Sequence, residues 1–248
     1  IGNFLLANSL FFTEFGLGGS NGLNSDNQID DATMAANFSW FKSSSSTIKF
    51  GAQIKNLGLL YTNSFNDSLQ FEIDTKPKEY ASFVKLKYSP SEKFILEPGI
   101  RINLYNVYSD SIFPDLRFGT KYLLTDDRYI NFSVGNYHQF IATFQDDYNP
   151  TILDQWIAVD NTVAPAKSSQ IVLGYEEYIN DLYKLQVEGY YKDIKNLFTF
   201  EESRSTTDEA ISDTALSDIV TPSNGYAYGL ELFAQKMSGR LSGWLAYT

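Results

Sequence analysis

Few residues in this 248-residue sequence could carry metal or acid–base chemistry. His138 is the only histidine, and there is no cysteine. A zinc or haem site needs several such ligands close together, so the sequence predicts no metal site and no cofactor. Strand alternation groups His138 with apolar residues such as Phe132 and Val134, unless the alternation slips at Gly135. We expect His138 to be a structural residue near one rim of the protein.

Two acidic doublets, Asp146-Asp147 and Glu201-Glu202, are the other candidates for chemistry. Paired carboxylates could serve a glycosidase or bind calcium, but the spacing lacks a calcium-loop pattern. The sequence has no Gly-x-Ser-x-Gly elbow, and one histidine cannot be matched to a triad from sequence alone. We therefore predict no catalytic residues, and we interpret both doublets as solvated acidic side chains on loops.

Negative charge is concentrated in four polar segments. The net charge is −11, and 17 of the 30 acidic residues lie within 16–31, 64–79, 144–167 and 199–223, against four of the 19 basic ones. Nucleic-acid binding needs clustered lysine and arginine, so this distribution disfavours a nucleic-acid partner. Two interpretations remain, namely a solvated loop set and a surface that attracts cationic ligands.

Alternating apolar and polar residues predict an all-β protein. The 17 tyrosines and 19 phenylalanines favour strands, and no run of 18 apolar residues predicts a transmembrane helix. Most of the runs reach the roughly 9–11 residues that a tilted membrane strand needs, whereas soluble strands usually have about 5–6. The predicted strands are 2–15, 31–43, 46–63, 79–90, 93–106, 113–125, 128–143, 168–180, 182–199, 224–236 and 239–248.

The connections between these strands alternate between short and long. Tight turns would lie at one edge of the sheet and long loops at the other, as in bacterial outer-membrane barrels. We therefore predict an antiparallel up-and-down transmembrane β-barrel, with 1–248 as a single partial barrel domain. Eleven strands cannot close on themselves as an antiparallel barrel, so either the count is off by one or further strands lie beyond both ends, and we expect the second. The predicted tight turns are 42–46, 89–92, 125–128, 180–182 and 237–239.

Charged and polar residues alternate with apolar ones on the fifth and sixth predicted strands. An arginine or lysine facing hydrocarbon at mid-depth costs about 2–4 kcal/mol, so this polar ladder is predicted to line the barrel interior and face a plug. The alternative is an ordinary solvated face of a soluble sheet. The predicted cross-strand pairs, for strands folded symmetrically about residue 109, are Glu97 with Lys121, Asn103 with Asp115 and Arg101 with Arg117.

A series of short motifs in the second half of the chain carries a family resemblance. Their order and spacing resemble the barrel of TonB-dependent outer-membrane receptors, particularly the Bacteroidetes-type nutrient receptors. The similarity is strongest from about residue 128 onward and looser before it. The motifs are GNYHQF at 135–140, KSSQ at 167–170, LGYE at 173–176, VEGYYKDIKNL at 187–197, AYGLEL at 227–232 and GRLSGW at 239–244.

The resemblance implies a 22-stranded barrel blocked by an N-terminal plug domain, of which this chain would be about half. Such receptors bind scarce nutrients, such as ferric chelates, cobalamin or glycans, at the cell surface. Import would be driven by an inner-membrane energy-transducing complex acting on the plug. The implied surroundings are outer-membrane lipid, and a surface lipoprotein is a further candidate partner.

Aromatic residues in the longest loops are the best candidates for ligand contact. Tyr148 and Trp156 offer large amphipathic surfaces at low entropy cost, so we predict that they contact the substrate. Two alternatives to a receptor remain at this stage. One is a passive outer-membrane porin or channel, and the other is a soluble β-sandwich adhesin or carbohydrate-binding module.

Overall fold

Extended chain dominates the computed structural model, which describes residues 1–17, 22–66, 68–108, 111–144, 155–200, 216–218 and 220–248. Within these residues there are fourteen strands and one short 3₁₀ turn, Leu216–Asp218. The strands are β1 (Gly2–Leu17), β2 (Leu23–Ser43), β3 (Ser46–Phe65), β4 (Ser68–Thr75), β5 (Lys78–Ser91), β6 (Phe94–Tyr105), β7 (Ile112–Thr125), β8 (Arg128–Gln139), β9 (Ile141–Phe144), β10 (Gln155–Ala158), β11 (Ala166–Ile179), β12 (Tyr183–Phe200), β13 (Val220–Lys236) and β14 (Gly243–Tyr247).

Twelve of these strands form one continuous antiparallel sheet, here called the main sheet. Its order is β1-β2-β3-β5-β6-β7-β8-β11-β12-β13-β14, and β4 pairs with the last part of β3. The remaining strands, β9 and β10, pair with each other as a separate two-stranded sheet. Each strand of the main sheet lies beside its neighbour in sequence apart from these insertions, which confirms the predicted up-and-down antiparallel arrangement. No helix in the described residues is long and apolar enough to cross a membrane.

The predicted loops over 16–31 and 64–79 are largely wrong. The hairpin of β1 and β2 continues to the pair Leu17 and Leu23, and β4 lies within the second segment. The polar residues in these segments did not suggest strands, because apolar and polar side chains need to alternate only where one face of a strand must be apolar. Where neither face must be apolar, both faces of a strand can be hydrated. Backbone hydrogen bonds alone then continue the pairing of the two strands.

Three of the predicted tight turns, 42–46, 125–128 and 180–182, are present, whereas the turn between β5 and β6 lies at 92–93 rather than 89–92 and the connection between β13 and β14 extends over 237–242. One of the three shows the expected backbone chemistry. Between β11 and β12, Asn180 and Asp181 have φ values of 50° and 54°, and the Leu182 amide donates to the Ile179 carbonyl at 3.0 Å. Two successive residues with positive φ match the right-handed twist of a hairpin, and asparagine and aspartate tolerate that conformation better than most residues.

The predicted register between β6 and β7 is wrong by two residues. Glu97 lies opposite Gly119, and Arg101 lies opposite Asp115. The predicted register would have placed Arg101 directly opposite Arg117, a repulsive pair, whereas the observed register places it opposite an acidic residue. A shift of two residues keeps every side chain on its predicted face, because strand side chains alternate with a period of two.

The two faces of the main sheet differ in chemistry. One face, here called the polar face, carries Glu97, Arg101, Asn103, Asp115, Arg117 and Lys121. The opposite, apolar face carries exposed hydrophobic side chains; Leu116 is 59% exposed although it lies between Asp115 and Arg117. A soluble β-sandwich would bury such residues against a second sheet, so the sandwich alternative is wrong for this single twelve-stranded sheet.

Candidate functional site

Hydrogen bonds run across the polar face from β3 to β7. The Arg101 guanidinium donates to Gln53 Oε1 at 3.0 Å, to Glu79 Oε1 at 3.3 Å and to Asn103 Oδ1 at 2.7 Å. The Asn103 amide in turn donates to Asp115 Oδ2 at 3.0 Å. Asn103 and Asp115 are each only 2% exposed, so these polar groups are satisfied by one another rather than by water.

His138 belongs to the same network and does not stand with the apolar residues of its strand. Its Nδ1 lies 2.7 Å from Asp115 Oδ1, where the carboxylate can accept the ring proton. The ring also lies 5.4 Å from that of Phe113, measured between centroids. His138 is therefore a mostly buried member of the polar face, one residue before the long-loop end of β8.

A slip in strand alternation after Gly135 explains the orientation of His138. Backbone pairing of β7 with β8 ends at Arg117 and Gly135. Beyond that point the Asn136 side chain replaces the ladder, since its Oδ1 accepts from the Leu116 amide at 2.9 Å and its Nδ2 donates to the Pro114 carbonyl at 2.9 Å. The slip at Gly135, which the sequence left as one alternative, is thus present.

Two further ion pairs on the polar face depart from the sequence prediction. Glu97 pairs with Lys85 of β5 at 2.6 Å, not with Lys121. Lys121 instead pairs with Glu176 of β11 at 3.2 Å, and its ammonium lies 4.0 Å from the centroid of the Tyr129 ring. Both differences follow from the two-residue register shift, which moves Lys121 away from Glu97.

Arg117 also makes its contacts on the polar face. Its guanidinium carbon stacks 4.4 Å from the ring centroid of Tyr137, and the Tyr137 hydroxyl accepts a hydrogen bond from Gln170 at 3.2 Å. All six residues predicted for the polar ladder therefore lie on one face and make polar contacts there. That this face lines a barrel interior stays a prediction.

A compact apolar cluster joins the long-loop segments at the end of the polar face; we call it the loop cluster. Ile157 and Ala158 of β10 are buried, and Ala158 packs with Leu57 and Leu59 of β3. Because β3 and β8 are separated by three strands in the sheet order, the segment after β8 reaches well across the polar face. The buried members of the loop cluster around Ile157 are Tyr61, Tyr105, Phe140, Ile157, Val159, Val163, Leu216 and Val220.

Asp160 ties two of these segments together. Its Oδ2 accepts from the Leu216 amide at 2.8 Å, and its Oδ1 accepts from the Thr162 amide at 2.8 Å. The Thr162 hydroxyl then accepts from the Ser217 amide at 3.1 Å. The segment between β10 and β11 is thereby attached to the segment that precedes β13.

Tyr108, in the connection after β6, attaches a third segment to the loop cluster. Its hydroxyl donates to the Val163 carbonyl. Burial, followed by the negative charge of Asp160, raises the pKa of Tyr108 to about 12, so the hydroxyl keeps its proton and remains a donor. Sequence analysis missed both Asp160 and Tyr108, because neither belongs to a recognisable motif.

Only one of the two predicted ligand-contacting aromatics lies in the described part of the chain. Tyr148 lies outside the described residues. Trp156, on β10, is 36% exposed, whereas its neighbour Ile157 is 1% exposed. Alternation on this short strand thus leaves the indole accessible above the loop cluster while Ile157 anchors it.

The described residues contain no group of three or more His, Cys, Asp or Glu side chains that could hold a metal ion. His138 and Asp115 are close together, but their other neighbours on the polar face are Asn103, Arg117 and Phe113. Cationic and apolar neighbours of this kind stabilise a buried carboxylate or fill space rather than complete a metal coordination shell. The arrangement therefore supports structure and recognition through hydrogen bonds.

A single wide, up-and-down antiparallel sheet with one polar and one apolar face defines part of a large β-barrel. Residues 3–248 match the family described as TonB dependent receptor-like, beta-barrel, and the chain belongs to that family. The match confirms the resemblance drawn from the sequence motifs at the level of this family. Among curated proteins, no sequence relative matches the chain.

Several solved receptor structures share this fold at low sequence identity. The siderophore receptor PirA from Pseudomonas aeruginosa has a TM-score of 0.63 at 10% identity, covering 99% of this chain and 51% of PirA. The ferric yersiniabactin uptake receptor FyuA from Yersinia pestis has a TM-score of 0.62 at 13% identity, covering 96% and 38%. The FrpB iron transporter from Neisseria meningitidis has a TM-score of 0.59 at 13% identity, covering 90% and 36%. The chain thus spans about half of these receptors or less.

Proposed function

We propose that this chain forms about half of the barrel of a bacterial outer-membrane receptor for energy-coupled uptake of a scarce nutrient. The observation that carries the proposal is the contrast between the two faces of the main sheet. A continuous apolar face suits contact with hydrocarbon, whereas ion pairs and hydrogen bonds satisfy the polar face as a hydrated interior requires. Family membership favours a receptor over a passive porin.

The proposed partners follow from the same assignment. The polar face would line the lumen and contact the plug domain of the same receptor, which an inner-membrane energy-transducing complex would act upon. Lipid of the outer membrane would surround the apolar face, and a surface lipoprotein is a candidate partner at the loops. No catalytic step is proposed for any residue.

The proposed ligand is a nutrient such as a ferric chelate, cobalamin or a glycan, captured on the loop side of the barrel. We propose Tyr148 and Trp156 as contacts for it. The accessible indole of Trp156 supports this choice, since it lies on a short strand that Ile157 anchors in the loop cluster. A rigidly held aromatic side chain loses little entropy when a ligand binds.

Cysteine labelling of intact cells tests the proposed orientation. Asn161, between β10 and β11, and Asp126, in the turn between β7 and β8, are both exposed, and the chain has no cysteine of its own. In the full-length protein, Asn161→Cys should react with a membrane-impermeant maleimide on whole cells. Asp126→Cys should react only after the outer membrane is permeabilised, because tight turns face the periplasm in such barrels.

The protein without an added cysteine serves as the control for background labelling. Equal labelling of the two variants on intact cells would contradict a membrane-spanning orientation. Labelling of Asp126→Cys alone would mean that the barrel is inverted relative to the proposal.

Substitution of Asp160 tests whether this residue holds the two loop segments together. In the full-length protein, Asp160→Ala should expose the segments around Asp160 and Leu216 to a protease and speed their cleavage by about tenfold or more. The reason is that the substitution removes charge-assisted hydrogen bonds from two segments at once, and cleavage follows the population of the open form. Limited proteolysis with mass spectrometry measures the rate at each site.

The neighbouring variant Asn161→Ala is the matched control, because Asn161 is exposed and lies beside the same turn. Its cleavage rate should equal that of the unsubstituted protein. If Asp160→Ala is cleaved no faster than Asn161→Ala, then Asp160 does not hold the two segments together.

A further inference from the structure

Three lysines lie close together on the polar face of the main sheet, and we call them the basic patch. Lys49 of β3 is the direct cross-strand partner of Lys85 of β5, and Lys87 lies opposite Thr47. Lys85 forms an ion pair with Glu97 of the polar face. Cross-strand partners share a face, and alternation places Lys87 on the same face as Lys85. Lys49 and Lys87 are exposed.

The basic patch lies close to the tight turn between β2 and β3. Lys49 is the fourth residue of β3, and Thr47, which lies opposite Lys87, is the second. At about 3.3 Å per residue, both lysines lie within roughly 10 Å of the turn along the strand. Under the proposed function, this end of the polar face is the periplasmic end of the barrel interior. Lipid would contact the opposite face and would not reach the basic patch.

The basic patch carries more positive charge than its surroundings compensate. Like charges directly opposite one another on a sheet are destabilising. The tight-turn halves of β2, β3, β5 and β6 are described throughout, and among their residues only Glu97, 2.6 Å from Lys85, forms an ion pair with the basic patch. In the adjacent turns Glu92 is offset by Lys93, and Lys42 adds a further positive charge. The basic patch and Glu97 together carry a net charge of +2.

This charge balance favours a resident partner over a solute in transit. Repulsion between Lys49 and Lys85 is present whenever the receptor is at rest, so a permanently bound counter-charge would relieve it and a passing nutrient would not. In the proposed function, the plug domain occupies the barrel interior at rest and lies outside this chain. A plug surface that faces the basic patch would need acidic side chains to be complementary to it.

We infer that the basic patch binds an acidic segment of the plug domain at the periplasmic end of the barrel. Carboxylates of that segment would form charge-assisted hydrogen bonds with Lys49 and Lys87, while Lys85 keeps its pair with Glu97. These contacts would hold the plug at rest and oppose its displacement. The inference rests on the proposed function, because it requires the polar face to enclose the plug, and it adds the residues and the sign of charge that make the contact.

Zero-length cross-linking of the full-length receptor in detergent tests the inference. A carbodiimide joins a lysine amine to a carboxylate only where the two groups touch, and mass spectrometry identifies the joined peptides. We expect Lys49 or Lys87 to be joined to an aspartate or glutamate of the plug. Lys85 should be joined to Glu97, 2.6 Å away, which makes it the internal control. In about 1 M salt the plug cross-links should decrease several-fold, because the screening length falls to about 3 Å.

Each other outcome of the cross-linking overturns a distinct statement. A link from Lys85 to Glu97 without any from Lys49 or Lys87 to the plug would refute the basic patch as a plug contact. Protection of these two lysines from acetylation by added inorganic phosphate, again without plug links, would assign the basic patch to soluble anions instead. If cross-linkers with long spacers also join no residue of the polar face to the plug, then this face does not enclose it and the proposed function itself is wrong.

Charge reversal provides a second measurement. In the full-length receptor, Lys49→Glu/Lys87→Glu should speed protease cleavage of the plug by about tenfold or more. Two attractions become repulsions, and cleavage follows the population of the displaced plug. Lys42→Glu/Lys93→Glu is the matched control, because it changes the net charge equally at exposed lysines next to the tight turns. Equal cleavage rates in the two double variants would contradict the inference.

Thermal unfolding of the barrel separates loss of the plug contact from loss of fold. The neutral variant Lys49→Gln/Lys87→Gln removes the repulsion with Lys85 as well as the plug contacts, so the barrel should unfold at nearly the same temperature while its plug is cleaved faster. A large decrease in the unfolding temperature with unchanged cleavage of the plug would show that the lysines stabilise the barrel directly, which contradicts a role in binding the plug.

Discussion

Phe118→Arg is expected to destabilise the barrel strongly. Phe118 is on the apolar face of β7, where it is 37% exposed and lies opposite Pro98 and Val134 of the neighbouring strands. It lies seven residues from the end of the strand at Thr125, which is near mid-depth for a tilted strand. An arginine facing hydrocarbon at that depth costs about 2–4 kcal/mol, a large part of the stability of a typical domain. Urea unfolding of the full-length receptor in lipid vesicles, followed by tryptophan fluorescence, measures the loss.

The adjacent substitution Gly119→Arg is the matched control, since it introduces the same side chain on the opposite face. A Cβ added at Gly119 would have only the Cβ of Glu97 nearby, at 3.9 Å, so the polar face has room for a side chain there. The new guanidinium could also pair with the Glu97 carboxylate. We expect a change in unfolding free energy within about 1 kcal/mol, as for other partly exposed ion pairs. If Gly119→Arg were the more damaging of the two, the polar face would be the one in contact with lipid.

Asp115→Ala is expected to produce the second large loss of stability. The carboxylate is almost fully buried and accepts from Asn103 and His138, and Arg117 Nη2 lies 3.8 Å from it. Removing it leaves several buried donors without a partner, and breaking a buried ionic cluster in this way costs about 3–5 kcal/mol. The same unfolding titration in vesicles measures the effect.

Asp74→Ala is the corresponding control at an exposed ion pair. Asp74 of β4 pairs with Lys76 at 3.0 Å, and the two side chains are 44% and 75% exposed. Exposed pairs contribute about 0–1 kcal/mol, so this variant should unfold almost as the unsubstituted protein does. Losses of equal size in the two aspartate variants would mean that water, not Asp115, satisfies Asn103 and His138.

Where apolar and polar residues alternate, strand existence and facing could be predicted from the sequence, because alternation is a local property. Ile102 and Leu116 take one direction and Asn103 and Asp115 the other, whatever the partner strand is, since successive strand side chains point to opposite faces. The tight turns were predictable for the same reason. The asparagine and aspartate at 180 and 181 have short-range backbone preferences that do not depend on distant residues.

Partners across strands could not be predicted in the same way. Register depends on where the connection between β6 and β7 ends, and a shift of two residues preserves the faces while it changes every neighbour. Glu97 therefore pairs with Lys85 instead of Lys121. The slip after Gly135 is another such case, because it depends on Asn136 bonding to the backbone of β7.

The sequence by itself determined the all-β class, the chemistry of the two faces of the main sheet and the resemblance to receptor barrels, all of which follow from local alternation and motif order. Only the tertiary structure decided that His138 joins Asp115, that Asp160 attaches two loop segments, and that Lys49 lies opposite Lys85. Each of these contacts joins residues at least 23 positions apart. Contacts at that separation depend on register and loop packing, on which the periodicity of a single strand carries no information.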